Sequence, residues 1–328
     1  PVVDATLWTN SSHKAVQATC MGDGETFGCH STGHGSVKTR LLAPWDANQP
    51  PVPGDPLRQE EGLCYSCHDV NGPGPNIQSQ FGLPSHHKVS SLEQTDGSKV
   101  ECTNCHNPHT VSAAARLIDP DSGAVWTGTD QAFCLTCHDG SPPAGVSFPP
   151  TSPGTGYDKS AFVGSTHSTE LGPASCRHCH AWHGSSNTAL LRQKYVVTDT
   201  NPYTPGADDY AACWLCHVED RIMVQANAFD TNHEAHVKLS EFPCIHCHDV
   251  HRGYDAVEPG LIDLDYPVRR GGYGAEFIDG KDGSTAFWLN GAQTSGFCYI
   301  RCHEMDHTPM DYQRTNGPPS TTMCGACH

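Results

Sequence analysis

The placement of the cysteines constrains this chain more than any other feature. All eighteen fall into nine pairs, and histidine directly follows the second cysteine of every pair. Seven pairs are spaced C-x-x-C-H: Cys64/Cys67-His68, Cys102/Cys105-His106, Cys134/Cys137-His138, Cys176/Cys179-His180, Cys213/Cys216-His217, Cys244/Cys247-His248 and Cys324/Cys327-His328. The first site in chain order, Cys20/Cys29-His30, has an eight-residue spacer, and the eighth, Cys298/Cys302-His303, has a three-residue one. Histidine occupies 22 of 328 positions, so its chance placement after nine pairs has a probability of about 10⁻¹¹.

C-x-x-C-H is the attachment signature of c-type haem, with two thioethers to the vinyl groups and the adjacent histidine as iron ligand. Zinc ribbons have no reason to place histidine after each pair. Iron–sulfur runs lack that histidine, and a disulfide framework does not predict it. At the first site a Cys20–Cys29 disulfide competes with haem. The insert Met-Gly-Asp-Gly-Glu-Thr-Phe-Gly is glycine-rich, though, so it can bulge outward while both thiols still meet one macrocycle. The expectation is nine covalently attached haem c groups.

Composition fits that expectation. About 36 residues are available per site, only 36% of residues are hydrophobic, and Gly and Pro number 32 and 25. Such a chain buries too little apolar surface to offset backbone ordering by itself. Nine porphyrins would supply the missing surface. The predicted fold class is mostly irregular coil with short α-helices wrapped around a chain of nine haems, and little β.

A formal net charge of −17 argues against nucleic acid, whose recognition depends on basic contacts to phosphate. No apolar run approaches the roughly 20 residues that span a bilayer. Haem is attached to such motifs outside the cytoplasm, so a removed secretion signal is expected. Extracellular or cell-surface placement follows, with the periplasm as the alternative.

The sites form internal repeats. Cys102, Cys176 and Cys244 each open a C-H-x-x-H step, ending at His109, His183 and His251, and an apolar pair follows (Leu117-Ile118, Leu190-Leu191, Leu261-Ile262). Plainer sites lie between them. The N-terminal segment repeats the plan with drift: His30, His34, then Leu41-Leu42. The expected organisation is four two-haem modules (1–75, 76–150, 151–230 and 231–310) and a single-haem segment (311–328).

The second axial ligand separates electron transfer from catalysis. Beyond the nine histidines that follow a cysteine, thirteen remain. One lies upstream of each module's first pair (His13; His86 or His87, with His86 preferred; His167; His233 or His236, with His236 preferred). One lies just downstream (His34, His109, His183, His251), and His307 follows the eighth site. Nine distal histidines for nine sites predict bis-histidine iron throughout. His178 and His246 sit inside motif spacers and are expected to donate to propionate or carbonyl. The acids after several motifs (Asp69, Asp139, Asp249, Glu304) are expected to be solvated or capping. With both axial faces filled, the iron can only pass electrons. None of the five methionines is needed as a ligand.

The run C-T-N-C-H-N-P-H, Leu-Ile, spacer, F-C-L-T-C-H-D resembles the doubled C-x-x-C-H domain of multihaem c-type cytochromes of bacteria and archaea. The small size per haem and the abundant histidines also resemble the extracellular cytochromes that polymerise into conductive filaments. That resemblance implies a head-to-tail homopolymer carrying electrons to external acceptors, with His13 the candidate ligand to a haem of the neighbouring subunit. His13 serving its own chain is the alternative. The two other readings are a soluble monomeric shuttle and a multihaem reductase with one open iron. The reductase would need an unclosed site, and no C-x-x-C-K occurs.

Overall fold

The computed structural model describes residues 5–21, 28–30, 60–90, 93–112, 116–148, 162–195 and 208–223, single positions at 237, 244, 248, 250 and 251, and short strands between 276 and 313. The chain divides into two units, Pro1–Pro150 with His180–Leu190, and Thr151–Cys179 with Leu191–His328. Most of the described backbone is irregular, with short helices and little sheet.

In unit 1 the helices are α1 (Ala5–Thr9), α2 (Ser12–Ala15), α3 (Glu60–His68), α4 (Gln78–Phe81), α5 (Cys102–Cys105) and α6 (Asp130–Leu135). None exceeds nine residues, below the roughly 12–15 at which an isolated helix holds in water. Local caps help. The buried Ser11 side chain accepts from the Lys14 N–H, and Thr129 accepts from the Ala132 N–H, each relieving an orphan donor of a first turn.

The motifs themselves write the helical turns. His106 N–H donates to Cys102 C=O at 2.9 Å, and His138 N–H to Cys134 C=O at 3.0 Å. In unit 2 the same bond joins His217 to Cys213 at 3.0 Å and His248 to Cys244 at 2.9 Å. One such turn presents residues three apart on the same side, so both thiols project together. The first site reaches that end differently: β1 (Thr19–Met21) and β2 (Gly28–His30) pair in parallel, Thr19 with Gly28 and Met21 with His30, setting Cys20 beside Cys29 across the insert. Both are free thiols.

A short antiparallel pair, β3 (Ser85–His86) and β4 (Gly184–Ser185), ties the 80s to the 180s inside unit 1. Glycine is required at 184, where a Cβ would stand 1.8 Å from the Gln80 carbonyl oxygen.

Unit 2 carries α7 (Thr166–Leu171), α8 (Ser175–Cys179), α9 (Ala211–Trp214) and α10 (Glu219–Met223). Its apolar cluster is small: Tyr195, Tyr210, Met223 and Val237, with Cys213 and Cys244 packed against it. Two three-stranded antiparallel sheets follow. One orders β10 (Tyr312–Gln313), β7 (Ser295–Cys298) and β6 (Phe287–Leu289); the other orders β5 (Glu276–Phe277), β8 (Ile300–Cys302) and β9 (Met305–His307). Cys298 and Cys302 thus end strands and do not share a helical turn, because the extra spacer residue breaks the three-residue register.

Candidate functional site

Histidine pairs dominate the described part of the molecule. Within unit 1, His13 faces His68 with ring centroids 6.1 Å apart, and His30 stacks parallel to His109 at 6.1 Å with 2° between planes. His106 faces His183 at 6.1 Å, and His87 faces His138 at 6.4 Å. Within unit 2, His167 faces His217 at 6.1 Å. Every pair joins a motif histidine to one outside the motifs.

That separation has a chemical meaning. An imidazole nitrogen binds a transition metal at about 2 Å, and the ring centre lies roughly 1 Å behind it, so two rings facing across one metal have centroids about 6 Å apart. Aromatic rings packed without a metal also stand about 4.5–7 Å apart, as Tyr65 and Phe81 do here at 6.3 Å. The separation therefore admits a metal, and the mark of these five pairs is their constant make-up, one motif histidine with one from outside. Among the described residues no three His, Cys, Asp or Glu side chains converge on a point. Two facing imidazoles could supply two ligands to an iron whose other four come from a macrocycle.

The second ring nitrogen is already committed. His13 Nδ1 lies 2.7 Å from Pro108 O, His68 Nδ1 3.1 Å from Pro75 O, His87 Nδ1 2.9 Å from Trp182 O, His106 Nδ1 2.7 Å from Arg116 O and His180 Nδ1 2.8 Å from Ala189 O. A carbonyl can only accept, so Nδ1 carries the proton and Nε2 keeps its lone pair for a metal. The carbonyls of the third and fifth sites occupy matching places in the repeat. Ile118 N–H to Cys105 C=O at 3.0 Å and Arg192 N–H to Cys179 C=O at 2.8 Å close equivalent loops. At the fifth site the loop takes Ala189 and Leu190 into the left-handed region, φ 50° and 58°, a conformation that costs a non-glycine residue roughly 1–2 kcal/mol.

His86 and His87 part company here. His86 Nδ1 faces Leu83 O at 2.6 Å and its Nε2 faces Glu93 Oε1 at 3.1 Å, so both nitrogens are occupied. His87 is the one opposite His138.

Burial favours the neutral form of five of the paired imidazoles. It lowers the His87, His106, His109 and His217 pKa values below the usual histidine range, and it takes His183, which also lies near His106 and His87, down to about 4. Neutral rings are the ligating form.

Thiols gather as well. Cys64 and Cys102 hydrogen-bond to each other, which with burial holds Cys102 well above the usual thiol range. Burial, with Cys137 nearby, pushes Cys105 up to about 12. In unit 2, Cys213 and Cys244 form the same kind of thiol pair, and Cys179 lies near Cys216. All the described cysteine side chains are unbridged. Unbridged cysteines in pairs, each pair followed by a histidine, fit covalent haem c.

Of the remaining expected ligands, His251 packs edge-on against Phe162 at 6.0 Å. His307 lies on β9. His34, His233, His236, His246, His303, His328, Cys247, Cys324 and Cys327 lie outside the described residues. His178 is exposed. Asp69 accepts from the Asn71 and Gly72 N–H groups and Asp139 from the Ser141 N–H, so both cap turns as expected. No helix among the described residues is long and apolar enough to cross a membrane.

Sequence reasoning did not reach three features: the carbonyls that fix each Nδ1, the Glu93 that occupies His86, and the Glu60 carboxylate. Glu60 accepts from Thr103 inside the third motif. Buried acids at the start of α3 were the available signal.

The doubled CXXCH motif family matches residues 96–142 and 171–222, which hold the third to sixth sites. No curated protein and no solved structure matches the chain. The matched motifs are those that attach haem c, and they support a multihaem c-type cytochrome of electron transfer.

Proposed function

We propose that the chain is a nine-haem electron conductor in which every iron is closed by two histidines, and that it is not an enzyme. The observation that carries this is the set of five histidine pairs at 6.1 to 6.4 Å. Haem supplies reversible one-electron iron chemistry when bound. The residues of the chain hold it by thioether, fill both axial positions and leave no coordination site for a substrate. The five described pairs are His30 with His109, His68 with His13, His106 with His183, His138 with His87, and His217 with His167. For the remaining four sites (His180, His248, His303 and His328), the supply of histidines noted in the sequence supports the same ligation.

The choice of His87 over His86 rests on Glu93, which occupies His86 Nε2. The position of His13 opposite His68 favours ligation within the chain. This weakens the case for His13 as a ligand to a neighbouring subunit, so a filament delivering electrons to external acceptors now rests on the family resemblance. A monomeric carrier outside the cytoplasm needs the same sites without the polymer.

Mass spectrometry of the secreted holoprotein should give nine covalent haems. Its oxidised and reduced spectra should be wholly low-spin, with no carbon monoxide adduct. A carbon monoxide-binding haem in the wild type would overturn the closed-site reading and reopen reductase chemistry. Electron cryo-microscopy of the same preparation separates filament from monomer.

A further inference from the structure

We infer that distal ligation is interleaved: the C-H-x-x-H histidines His109 and His183 close the site two motifs earlier, the second, fourth and sixth sites take their histidine from upstream of the motif before them, and the sites therefore stand in motif order within each unit. This inference rests on the reading of the facing histidines as axial ligand pairs.

The pairs themselves show the pattern. His109 follows the third motif yet stacks on His30 of the first site, and His183 follows the fifth motif yet faces His106 of the third. His13 precedes the first motif and faces His68 of the second. His87 precedes the third and faces His138 of the fourth, and in unit 2 His167 precedes the fifth and faces His217 of the sixth. These five pairs obey two rules; His251, which follows the seventh motif, packs against Phe162.

Chain reach explains why a C-H-x-x-H step cannot serve its own site. His106 and His109 are three residues apart, a span of at most about 10 Å even when fully extended. His106 already approaches one face of its macrocycle. His109 would have to pass around the rim to reach the other, and the loop is too short. A histidine pointing away from its own site is free to close another.

Contacts between neighbouring sites give the order. Cys29 of the first site lies close enough to Cys64 and Cys67 of the second for their charges to interact. Cys64 hydrogen-bonds Cys102 of the third, and Cys105 of the third neighbours Cys137 of the fourth. The imidazoles repeat these links: His109 with His13, His106 with His68, and His183 with His87. Thiols and imidazoles therefore both connect first to second, second to third and third to fourth. In unit 2, Cys179 and Cys216 connect fifth to sixth, and Cys213 and Cys244 connect sixth to seventh.

The test is His109→Ala in the secreted holoprotein, alone and combined with Cys20→Ser and Cys29→Ser. The single variant should bind one carbon monoxide per chain. The triple variant should carry one haem fewer and bind none, because the opened site is the one removed. Carbon monoxide binding that persists in the triple variant would overturn the interleaving, since His109 would then serve another iron. An electron cryo-microscopy map of the wild type decides the matter if the triple variant fails to fold: His109 and His30 across one iron supports the inference, and His109 across from His106 sinks it. A wild type that already binds carbon monoxide, or lacks covalent haem, fails the closed-site reading instead.

Discussion

The Glu60 carboxylate receives two hydrogen bonds from Thr103, from its N–H at 2.6 Å and its hydroxyl at 2.9 Å. Glu60 opens α3, which carries the second motif, and Thr103 sits within the third, so these bonds fix one site against the next. Hydrogen bonds to a charged group contribute about 1.5–3 kcal/mol. Glu60→Ala is expected to lower unfolding stability by about that amount, as chemical denaturation will show. A loss below about 0.5 kcal/mol would mean that the covalent haems alone hold the two motifs together.

His86 and His87 make a controlled comparison. Adjacent in sequence, they differ in what occupies Nε2. His87→Ala should create one high-spin, carbon monoxide-binding haem, whereas His86→Ala should leave the spectrum low-spin and remove the contacts with Leu83, Glu93 and Phe81. The opposite result would return the ligand role to His86.

Gly184→Ala should be among the more damaging small substitutions. The added methyl would stand 1.8 Å from the Gln80 carbonyl, and backbone cannot yield as a flexible side chain can. Overpacking of this kind typically costs about 1–3 kcal/mol. The β3–β4 pairing would loosen, along with the nearby His87–Trp182 hydrogen bond, so a lower melting temperature should accompany partial opening of the fourth site. An unchanged melting temperature is the contrary outcome.

Glu61 gives a pH dependence. Burial raises its carboxyl pKa, and the neighbouring Glu60 and Glu93 push it the same way. Below the ordinary value of 4.5 the group is neutral in both folded and unfolded chains and carries no penalty. As pH rises from there through the raised folded value, the unfolded chain ionises first, and the folded state loses stability relative to it. Glu61→Gln has no such titration. Its melting temperature should therefore gain on the wild type as pH increases from about 4.5. Parallel curves across that range would show that burial costs this carboxyl nothing.

The cysteine–histidine motifs were legible in the sequence because attachment chemistry acts over a few residues. So were the buried apolar pair Leu117-Ile118, marked by its place in the repeat, and the turn-capping role of Asp69 and Asp139. Ligand pairing was not legible, because it depends on which segments the fold brings together. Nothing local distinguishes His86 from His87; the difference is a glutamate seven residues away that the backbone folds onto one ring. The carbonyls of Pro75, Pro108 and Trp182 are equally silent in a sequence, since every residue has one. The spacing did show that histidines come in two positional classes. Only the facing rings, among the described residues, set members of each class opposite a motif other than the one they adjoin.

The pairing of His30 with His109 and of His106 with His183 also affects the timing of maturation. A chain made N-terminus first presents Cys20, Cys29 and His30 long before residue 109 arrives, and residues 102–106 long before residue 183. Loops of that length close late and slowly compared with a local turn. Haem attached promptly at the early motifs waits with one exposed axial face until a later stretch of polypeptide is delivered. On the proposed ligation, the final ligand of an early site thus reports that the downstream chain has arrived, and a chain stalled midway would keep haems open to small ligands.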